Sequence, residues 1–333
     1  MSQSAIITTY KGKDVIELTS GRYKAVVAPF LGSNVMRLQD IENEIEVFRF
    51  DESLTPDELK KSAEVYGFPT LYLPNRLNNG VLKTSDATYN FPLNDPLGNH
   101  IHGFLHKREH TIVSAEVIGE TAVAKTEYIY DENDEFYSIY PVSFKAEYTF
   151  TLSAEGLSYE FKMTNTSDKM MPYGVCNHTT INGPFLKGAQ GKDVRLYVPV
   201  GEKWKLDSKC IPTCEFLPHT NHEKQYLTGS QVPVLHDIDN DVFFAETGEF
   251  EGRPFHGAIA TDEASGKKIV YEVCPEFKYW VIWNDHGDKE YFCPEPSTWM
   301  IDAPNLPIPA SESGYIELAP GESKTVTEKI YTV

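Results

Sequence analysis

The sequence FKAEYTFTLSAEGLSYEFKMT, residues 144–164, carries the clearest β-strand pattern of the chain. Apolar side chains stand at every second position of residues 144–152, with Lys, Glu and Thr between them. After the polar turn 153–156, the same alternation runs over residues 157–163. A period of two places the apolar side chains on one face of an extended strand, and a short polar turn joins two such strands. The stretch therefore predicts a β-hairpin with one buried face.

Similar alternation recurs over residues 194–200, 256–260, 268–273 and 324–332, and no helical pattern of comparable length separates these segments. Strands that do not alternate with helices form antiparallel sheets packed face to face. We expect an all-β protein with few short helices. No linker rich in Gly, Ser or one sign of charge divides the chain, so we expect one domain over residues 1–333.

Two local features are predicted in the N-terminal part of the chain. Residues 24–40 hold two apolar runs on either side of a Pro and a Gly, which is typical of a strand that turns a corner. A helix follows, with Thr55 as its N-cap, Pro56 as its first residue and Glu58 completing a capping box. We expect this helix to end at Gly67 and to cover one end of a sheet.

The composition describes an acidic chain with a large core. At 333 residues and 41% hydrophobic residues, the chain is long enough to bury that core. The net charge of -19 argues against nucleic acid or an anionic membrane surface as a partner, because either would need a basic patch. The N-terminal residues show no signal peptide and no run of eighteen apolar residues occurs, so we expect a cytoplasmic protein.

The five cysteines do not form a disulfide framework, because they are odd in number and scattered along the chain. They are Cys176, Cys210, Cys214, Cys274 and Cys293. Cys210 and Cys214 form the only close pair, and no second pair or histidine stands at zinc spacing from them. We interpret these two as buried or loop thiols rather than metal ligands.

Glu295 stands between two prolines in YFCPEPSTWM, residues 291–300. Proline fixes φ and favours an extended conformation at the residue before it, so we expect Glu295 on a stiff bend just after a strand. Aromatic and sulfur neighbours would exclude water and raise the pKa of this carboxyl group, as suits a proton carrier near neutral pH. A solvated loop carboxylate is the alternative.

Two further polar residues stand at turns or strand ends. Arg76 lies among turn-forming residues in LPNRLNNG, residues 73–80, where its planar donors suit vicinal hydroxyls or a ring oxygen, or are simply solvated. Asp241 enters an aromatic strand in DIDNDVFF, residues 237–244, and is a candidate hydroxyl acceptor. The alternating acids there lack the Gly and the closing Glu of a calcium loop.

Histidines form the remaining candidates. In NHIHGFLH, residues 99–106, His100 and His102 would face the same way on one strand, which raises a metal hypothesis. No further ligands stand at short spacing, so we expect Gly103 to turn the backbone and leave His102 pointing into a cleft. His178 follows a second strand, either as a satisfied core residue or as an acid that faces a base across a cleft.

Taken in chain order, these clusters resemble the aldose 1-epimerase (galactose mutarotase-like) family. The likeness spans almost the whole chain. It implies a large antiparallel β-supersandwich with an open cleft across one sheet, and an isomerase that interconverts the anomers of a free sugar without metal or cofactor. The matching pieces are Pro74-Asn75-Arg76-Leu77, Asn79-Gly80, His102-Gly103-Phe104, Asn177-His178, Ile181-Asn182, Asp241-Val242-Phe243, Glu295-Pro296 and Leu318-Ala319-Pro320-Gly321-Glu322-Ser323.

The resemblance also implies a role for each matched residue. Glu295 would be the general base that removes the proton of the anomeric hydroxyl, and His178 the acid that protonates the ring oxygen. The sugar would be held by Asn75, Arg76, His102 and Asp241. Because ring opening takes one proton and gives another, the two catalytic groups must meet at an open groove. We expect them about one sugar ring apart.

Two departures from the family pattern bear on the substrate. Hexose-6-phosphate relatives tend to follow the His-Gly-Phe piece with a basic residue for phosphate, whereas this chain has Leu105 and His106 before Lys107 and Arg108. Val242 stands where many members have a histidine. The acidity of the chain favours a neutral sugar. A hexose-6-phosphate 1-epimerase, a sugar-binding or regulatory module without turnover, and a metal-dependent protein stay open, as do monomer and homodimer.

Overall fold

The computed structural model, which describes residues 3–333, consists mainly of β-strands. Its α-helices are α1 (Pro56–Lys61), α2 (Asn221–Thr228) and α3 (Ala310–Ser313). The strands of the N-terminal half are β1 (Ser4–Tyr10), β2 (Lys13–Ser20), β3 (Tyr23–Ala28), β4 (Asn34–Asp40), β5 (Ile45–Glu46), β6 (Thr70–Leu71), β7 (Arg76–Asn78), β8 (Val81–Lys83), β9 (Thr88–Asn90), β10 (Asn99–Ile101), β11 (Thr111–Ile118), β12 (Thr121–Tyr130), β13 (Phe144–Ser153) and β14 (Gly156–Asn165). Those of the C-terminal half are β15 (Met171–Tyr173), β16 (Cys176–Asn177), β17 (Ile181–Asn182), β18 (Val194–Tyr197), β19 (Val200–Leu206), β20 (Pro212–Leu217), β21 (Asp241–Ala245), β22 (Gly248–Phe250), β23 (Arg253–Phe255), β24 (Gly257–Asp262), β25 (Lys268–Val273), β26 (Tyr279–Trp283), β27 (Tyr291–Ser297), β28 (Ile316–Leu318) and β29 (Ser323–Thr332).

The predicted hairpin forms as β13 and β14, which pair antiparallel from Phe144 opposite Asn165 to Ser153 opposite Gly156. Their apolar side chains are buried at alternate positions, as a strand with one solvated face requires. The hairpin lies within an eight-stranded sheet of order β11-β12-β13-β14-β29-β25-β24-β18. We call it the alternating sheet. Each of the four other segments with an alternating pattern contributes a strand to it.

A second eight-stranded sheet, which we call the site sheet, has the order β20-β19-β21-β26-β27-β16-β6, and β17 also pairs with β27. The two sheets pack face to face around one large apolar core. Tyr271 of the alternating sheet and Trp280 of the site sheet meet there edge to face, with ring centroids 6.2 Å apart. The prediction of an all-β fold with few short helices is thus confirmed.

The first five strands form a separate sheet in the order β1-β2-β3-β4-β5. The predicted corner lies between β3 and β4, where a 3₁₀ turn at Pro29–Leu31 ends at Gly32. Gly32 has a φ of 63°, and a Cβ there would lie 2.5 Å from the backbone of His106. Glycine is therefore required at this corner, because any side chain would collide with a neighbouring backbone.

The predicted helix after this sheet is shorter than expected. Thr55 and Glu58 form the capping box of α1, but the helix ends at Lys61 rather than near Gly67. A 3₁₀ turn follows at Ala63–Val65. Packing decides where so short a helix ends, since its own hydrogen bonds stabilise it little. No helix within residues 3–333 is long and apolar enough to cross a membrane.

Candidate active site

An open cleft of about 220 Å³ lies beside strands β16, β26 and β27 of the site sheet. Five of the six residues that the sequence nominated line it, namely Asn75, Arg76, His102, His178 and Glu295. The other residues that line it are Glu64, Val65, Ile101, Asp239, Asn240 and Trp283. The fold therefore brings side chains from widely separated parts of the chain to one place.

Glu295 lies inside a strand rather than on a bend after one. All seven residues of β27 are buried, and Glu295 pairs opposite Val281 of β26. On its other side β27 meets β17 at Phe292 and β16 at Ser297. Within the described chain, residues 293–296 have no strand partner on that side. The two prolines are tolerated in this gap, because no neighbouring strand needs their missing N–H groups.

His178 lies in the irregular segment between β16 and β17. Its Nε2 atom is 3.2 Å from Oε1 of Glu295, and the two residues are 4% and 2% exposed. The structure thus brings the predicted acid and base into direct contact, not one sugar ring apart as we expected. The two oxygens of an anomeric centre are bonded to the same carbon, so adjacent side chains can reach both of them.

Burial determines the protonation of this pair. It raises the pKa of Glu295 well above its ordinary value, opposed by the positive charge of Arg76. It lowers the pKa of His178 to about 4, opposed by the negative charge of Glu64. Burial therefore favours a neutral acid beside a neutral imidazole. A carboxylate beside an imidazolium has the same net charge, so one proton can move between the two states without charging the cleft.

Arg76 is held at the edge of the cleft by Asp95, whose Oδ2 accepts from Nε at 2.9 Å. Its Nη1 lies 3.4 Å from the side-chain oxygens of Asn75 and Asn240. Asn75 has a φ of 51°, a left-handed conformation that asparagine tolerates better than most residues. Within residues 3–333 no acceptor contacts Nη2 of Arg76, so this group keeps its donors for a ligand.

His102 stands at the predicted turn, with a φ of 66°, and its N–H donates to the Asn75 carbonyl at 2.9 Å. Gly103 follows with a φ of 56°, and a Cβ there would lie 2.0 Å from the Tyr72 carbonyl oxygen. Two successive left-handed residues turn the chain out of β10 and direct His102 into the cleft. Its ring packs edge to face against that of His178, with centroids 5.4 Å apart.

The two histidines of the metal hypothesis do not share a site. The Nδ1 atom of buried His100 lies 2.7 Å from the Pro92 carbonyl oxygen, whereas His102 lines the cleft. Alternation does not apply to this pair, because His102 lies beyond the end of β10. Among the described residues, two other groups offer possible ligand atoms within 4.8 Å of one another, namely His178 with Cys293 and Glu295, and His222 with Glu223 and Asp241.

Asp241 is not among the residues that line the cleft, contrary to our expectation. Its carboxylate accepts from Lys203 Nζ at 2.5 Å, His222 Nε2 at 2.7 Å and Tyr226 Oη at 3.0 Å. These donors occupy the carboxylate that we had assigned to a sugar hydroxyl. The two residues before Asp241 line the cleft instead. Asn240 has a left-handed φ of 54° just before β21, and this turn leaves Asp239 and Asn240 at the cleft and Asp241 away from it.

Two further side chains in the cleft, those of Glu64 and Trp283, were not predicted from the sequence. Glu64, on the 3₁₀ turn after α1, lies 3.5 Å from Lys107 Nζ and 3.8 Å from His106 Nε2. Burial raises the pKa of Glu64, but His106 and Lys107 outweigh burial and hold it below its ordinary value. Trp283 ends β26, and its ring lies 5.9 Å from that of His178. The only available signal was an aromatic residue at the end of an apolar strand.

Comparison with known proteins identifies the family. The model of the family described as aldose 1-epimerase matches residues 14–331. The chain belongs to the aldose 1-epimerase family. This member of the family is similar to a galactose mutarotase-like protein from Clostridium acetobutylicum, with a TM-score of 0.96 and 31% identity over 99% of each chain. The predicted family and the galactose mutarotase-like fold are thus confirmed.

More distant relatives of known structure share the fold alone. A putative aldose 1-epimerase from Escherichia coli K12 has a TM-score of 0.74 and 17% identity, over 96% of this chain and 98% of that one. A galactose 1-epimerase from Lactobacillus acidophilus NCFM has a TM-score of 0.72 and 16% identity, over 100% and 99%.

Two curated relatives are the chromosomal and plasmid forms of protein LacX from Lactococcus lactis subsp. lactis. Each is 30% identical to this aldose 1-epimerase family member over 200 residues, which is 59% of this chain. The match spans 62% of the length of each relative, which is less than two thirds.

Proposed function

We propose that the protein is an aldose 1-epimerase that interconverts the α and β anomers of a free, uncharged sugar by general acid–base catalysis, without a cofactor. One observation carries the proposal: a buried imidazole and a buried carboxyl group, those of His178 and Glu295, lie 3.2 Å apart in an open cleft. Membership of the aldose 1-epimerase family supports it.

In the proposed reaction, Glu295 begins as a carboxylate and His178 as an imidazolium. Glu295 takes the proton of the anomeric hydroxyl, and the electrons of that O–H bond form the carbonyl of the open chain. The bond between the anomeric carbon and the ring oxygen breaks, and its electron pair takes the proton of His178. Rotation of the aldehyde and reversal of both transfers close the ring as the other anomer. The pair then holds its original single proton.

Charges around the pair bring its two protonation states closer in energy. Burial favours the neutral pair that exists while the sugar is open. Arg76 stabilises the carboxylate of Glu295, and Glu64 stabilises the imidazolium of His178. Proton transfer is fastest when the pKa values of donor and acceptor are close. Burial and the charges of Arg76 and Glu64 act in opposite directions on the pair, and the balance favours the proposed proton transfers.

An uncharged sugar fits the cleft better than a phosphorylated one. Three carboxyl-bearing residues line the cleft, namely Glu64, Asp239 and Glu295, against the single guanidinium of Arg76, which Asp95 already binds. Such a cleft repels a phosphate group. Amide groups and the free Nη2 of Arg76 suit hydroxyls, and Trp283 offers an apolar surface to a sugar ring.

Lys107 and Arg108, the basic residues that left a phosphosugar as an alternative substrate, already form ion pairs. Lys107 lies 3.5 Å from Glu64, and Arg108 binds Asp134 at 2.7 Å and Glu135 at 3.1 Å. Recruiting either residue for a phosphate would break an existing ion pair. These contacts therefore support a free sugar over the hexose-6-phosphate alternative.

Polarimetry tests the proposal. We expect the purified protein to accelerate the approach of freshly dissolved α-glucose or α-galactose to anomeric equilibrium, and dialysis against EDTA to leave the rate unchanged. Failure to accelerate any aldose would contradict the proposal. Binding of a sugar by calorimetry without acceleration would select a binding module, and a rate that required a stoichiometric metal would select the metal-dependent alternative.

A further inference from the structure

Glu328 is a buried carboxyl group on the inner face of the alternating sheet, 4% exposed. It accepts hydrogen bonds from the Asn177 side-chain amide and the Tyr271 hydroxyl. No ion pair of residues 3–333 includes it, although burying an acid without a cation is unfavourable. An ionisable group retained in the core of a sandwich needs a reason beyond packing.

The first hydrogen bond of Glu328 crosses to the site sheet at Asn177, the residue before His178. The Asn177 side-chain oxygen accepts from the Thr70 hydroxyl at 2.7 Å. The Thr70 hydroxyl in turn lies 2.6 Å from that of Tyr159 on β14. Both polar ends of the Asn177 side chain are therefore held inside the sandwich, and their positions are fixed from the alternating sheet.

The second hydrogen bond of Glu328 leads to Thr179, the residue after His178. Tyr271 joins the two, because its hydroxyl bonds to Glu328 and lies 3.2 Å from the Thr179 hydroxyl. The side chains of Asn177 and Thr179 thus bond inside the sandwich, whereas His178 between them lines the cleft. One carboxyl group thus holds both chain neighbours of the imidazole.

The segment around His178 needs such support because, between its two flanking strands, its backbone has no strand partner on the side of β27 among the described residues. The flanking strands, Cys176–Asn177 and Ile181–Asn182, have only two residues each. Between them, the N–H groups of His178 and Thr180 donate to carbonyls of residues 67–69, and the Thr180 carbonyl accepts from the N–H of Arg49. The other side faces the gap in β27 where its prolines lie. Hydrogen bonds made by side chains must therefore fix the direction of the imidazole.

We propose that Glu328 is a positioning residue, which holds His178 in contact with Glu295 through Asn177 on one side and through Tyr271 and Thr179 on the other. The inference rests on the proposed function, since it names what aligns the acid of that reaction. A displacement of about 1 Å at a catalytic group is enough to lower a rate by up to a hundredfold. Glu328 never touches the sugar, so its loss acts on turnover rather than binding.

The protonation of Glu328 supports this role. Burial raises the pKa of Glu328 to about 8, although its hydrogen bonds from Tyr271 and Asn177 act in the opposite direction. Below that pH the group is a neutral acid, which removes the cost of burying a charge without a cation, and its oxygens stay in contact with the Asn177 amide and the Tyr271 hydroxyl, to which the Thr179 hydroxyl donates. The titratable groups that face it are Tyr159 of β14, Tyr173 of β15, Cys176 of β16 and Tyr271 of β25, and burial raises the pKa of each.

Two substitutions of the same residue test the proposal. Glu328→Gln keeps the shape and the hydrogen bonds of the neutral acid, whereas Glu328→Leu removes them. At pH 6.5 we expect the Gln variant to keep kcat within about threefold, and the Leu variant to lose about tenfold or more with KM nearly unchanged.

Tyr271→Phe provides a second test if the Leu variant fails to fold. It removes the hydroxyl that joins Glu328 to Thr179 and keeps the aromatic ring in place. We expect a loss in kcat of about threefold to tenfold. Unaltered turnover in a folded Leu variant or in the Phe variant would overturn the proposal, as would equal losses in the Gln and Leu variants.

Crystal structures separate this proposal from the proposed function. We expect the distance from His178 Nε2 to Glu295 Oε1 to lengthen in the Leu or Phe variant, whether or not the protein turns over a sugar. An unchanged distance would overturn the positioning role. Absence of epimerase activity in the unmodified protein would instead contradict the proposed function.

Discussion

The two eight-stranded sheets are built from different kinds of sequence. The alternating sheet contains the paired ten-residue strands β13 and β14, in which buried and exposed positions alternate. The site sheet contains β16, with two residues, and β27, with seven residues that are all buried. A regular period is enough to form the first sheet, whereas the second depends on particular prolines, glycines and asparagines. The regular pairing of the alternating sheet stabilises the fold, and the irregular backbone of the site sheet positions side chains at the cleft.

The first prediction tests stability in the alternating sheet. Phe161 of β14 is fully buried, and its ring centroid lies 5.0 Å from that of Tyr148. We expect Phe161→Ala to lower the free energy of unfolding by about 3–5 kcal/mol, because it leaves a cavity in the core. Under conditions where the variant is folded, kcat should change little. Urea unfolding and polarimetry measure the two effects.

Lys162 provides a matched control for this experiment, because it is the next residue and faces solvent. We expect Lys162→Ala to change the free energy of unfolding by about 0.5 kcal/mol or less. If Phe161→Ala abolished turnover in a protein of unchanged stability, the core of the alternating sheet would act on the reaction beyond the contacts of Glu328 and Tyr271.

The second prediction makes the same chemical change in both sheets. Glu295→Gln in the site sheet should lower the rate of anomer interconversion at least about a hundredfold, because an amide cannot accept the proton. His178→Asn should have an effect of similar size. Glu160→Gln, on the exposed face of β14, should leave the rate unaltered. Polarimetry with α-glucose or α-galactose compares the three, and similar rates for Glu295→Gln and Glu160→Gln would refute the assigned base.

The third prediction concerns pH. In the proposed reaction the pair of Glu295 and His178 is active with one proton, and below about pH 4 His178 binds a second proton while Glu295 keeps its own. The rate should therefore fall as the pH drops through this value. The negative charge of Glu64 raises the pKa of His178, so Glu64→Gln should move the decline to lower pH. At neutral pH this variant should lose up to about tenfold in kcat, because the imidazolium is less favourable.

A pH profile of kcat/KM measures this shift, with Glu135→Gln as a control at an exposed carboxylate that pairs with Arg108 outside the cleft. A decline that moved to higher pH in Glu64→Gln would contradict the predicted influence of Glu64 on His178.

Much of the fold could be predicted from the sequence because alternation is a local signal. Each alternating segment gave a strand of one sheet, and the capping box at Thr55 and Glu58 gave the start of α1. The end of α1 could not be predicted, because it depends on packing against distant residues. Glu64 lies inside the helix that the sequence predicted, and it was not recognised as part of the cleft.

The candidate site could be predicted in its residues better than in its geometry. Polar residues at turns and strand ends gave five members of the cleft. The strand around Glu295 was missed, since prolines normally exclude a central strand, and only the gap between β16 and β17 allows them there. Which of two neighbouring side chains faces a cleft depends on register, and register is fixed by partners that the local sequence does not contain.

The last prediction concerns such a pair of neighbours. Asn240 lines the cleft, with its side-chain oxygen 3.4 Å from Arg76 Nη1, whereas Lys203, His222 and Tyr226 bind the carboxylate of Asp241. Asn240→Ala should raise KM about fivefold, as the loss of one hydrogen bond to a sugar hydroxyl requires. Asp241→Asn should leave KM unchanged, although it weakens the cluster around Lys203 and lowers stability. The opposite result, in which KM responds to Asp241 and not to Asn240, would mean that bound sugar selects a register different from that of the free protein. The specificity of the site sheet for a sugar would then depend on a conformational change on binding rather than on a preformed cleft.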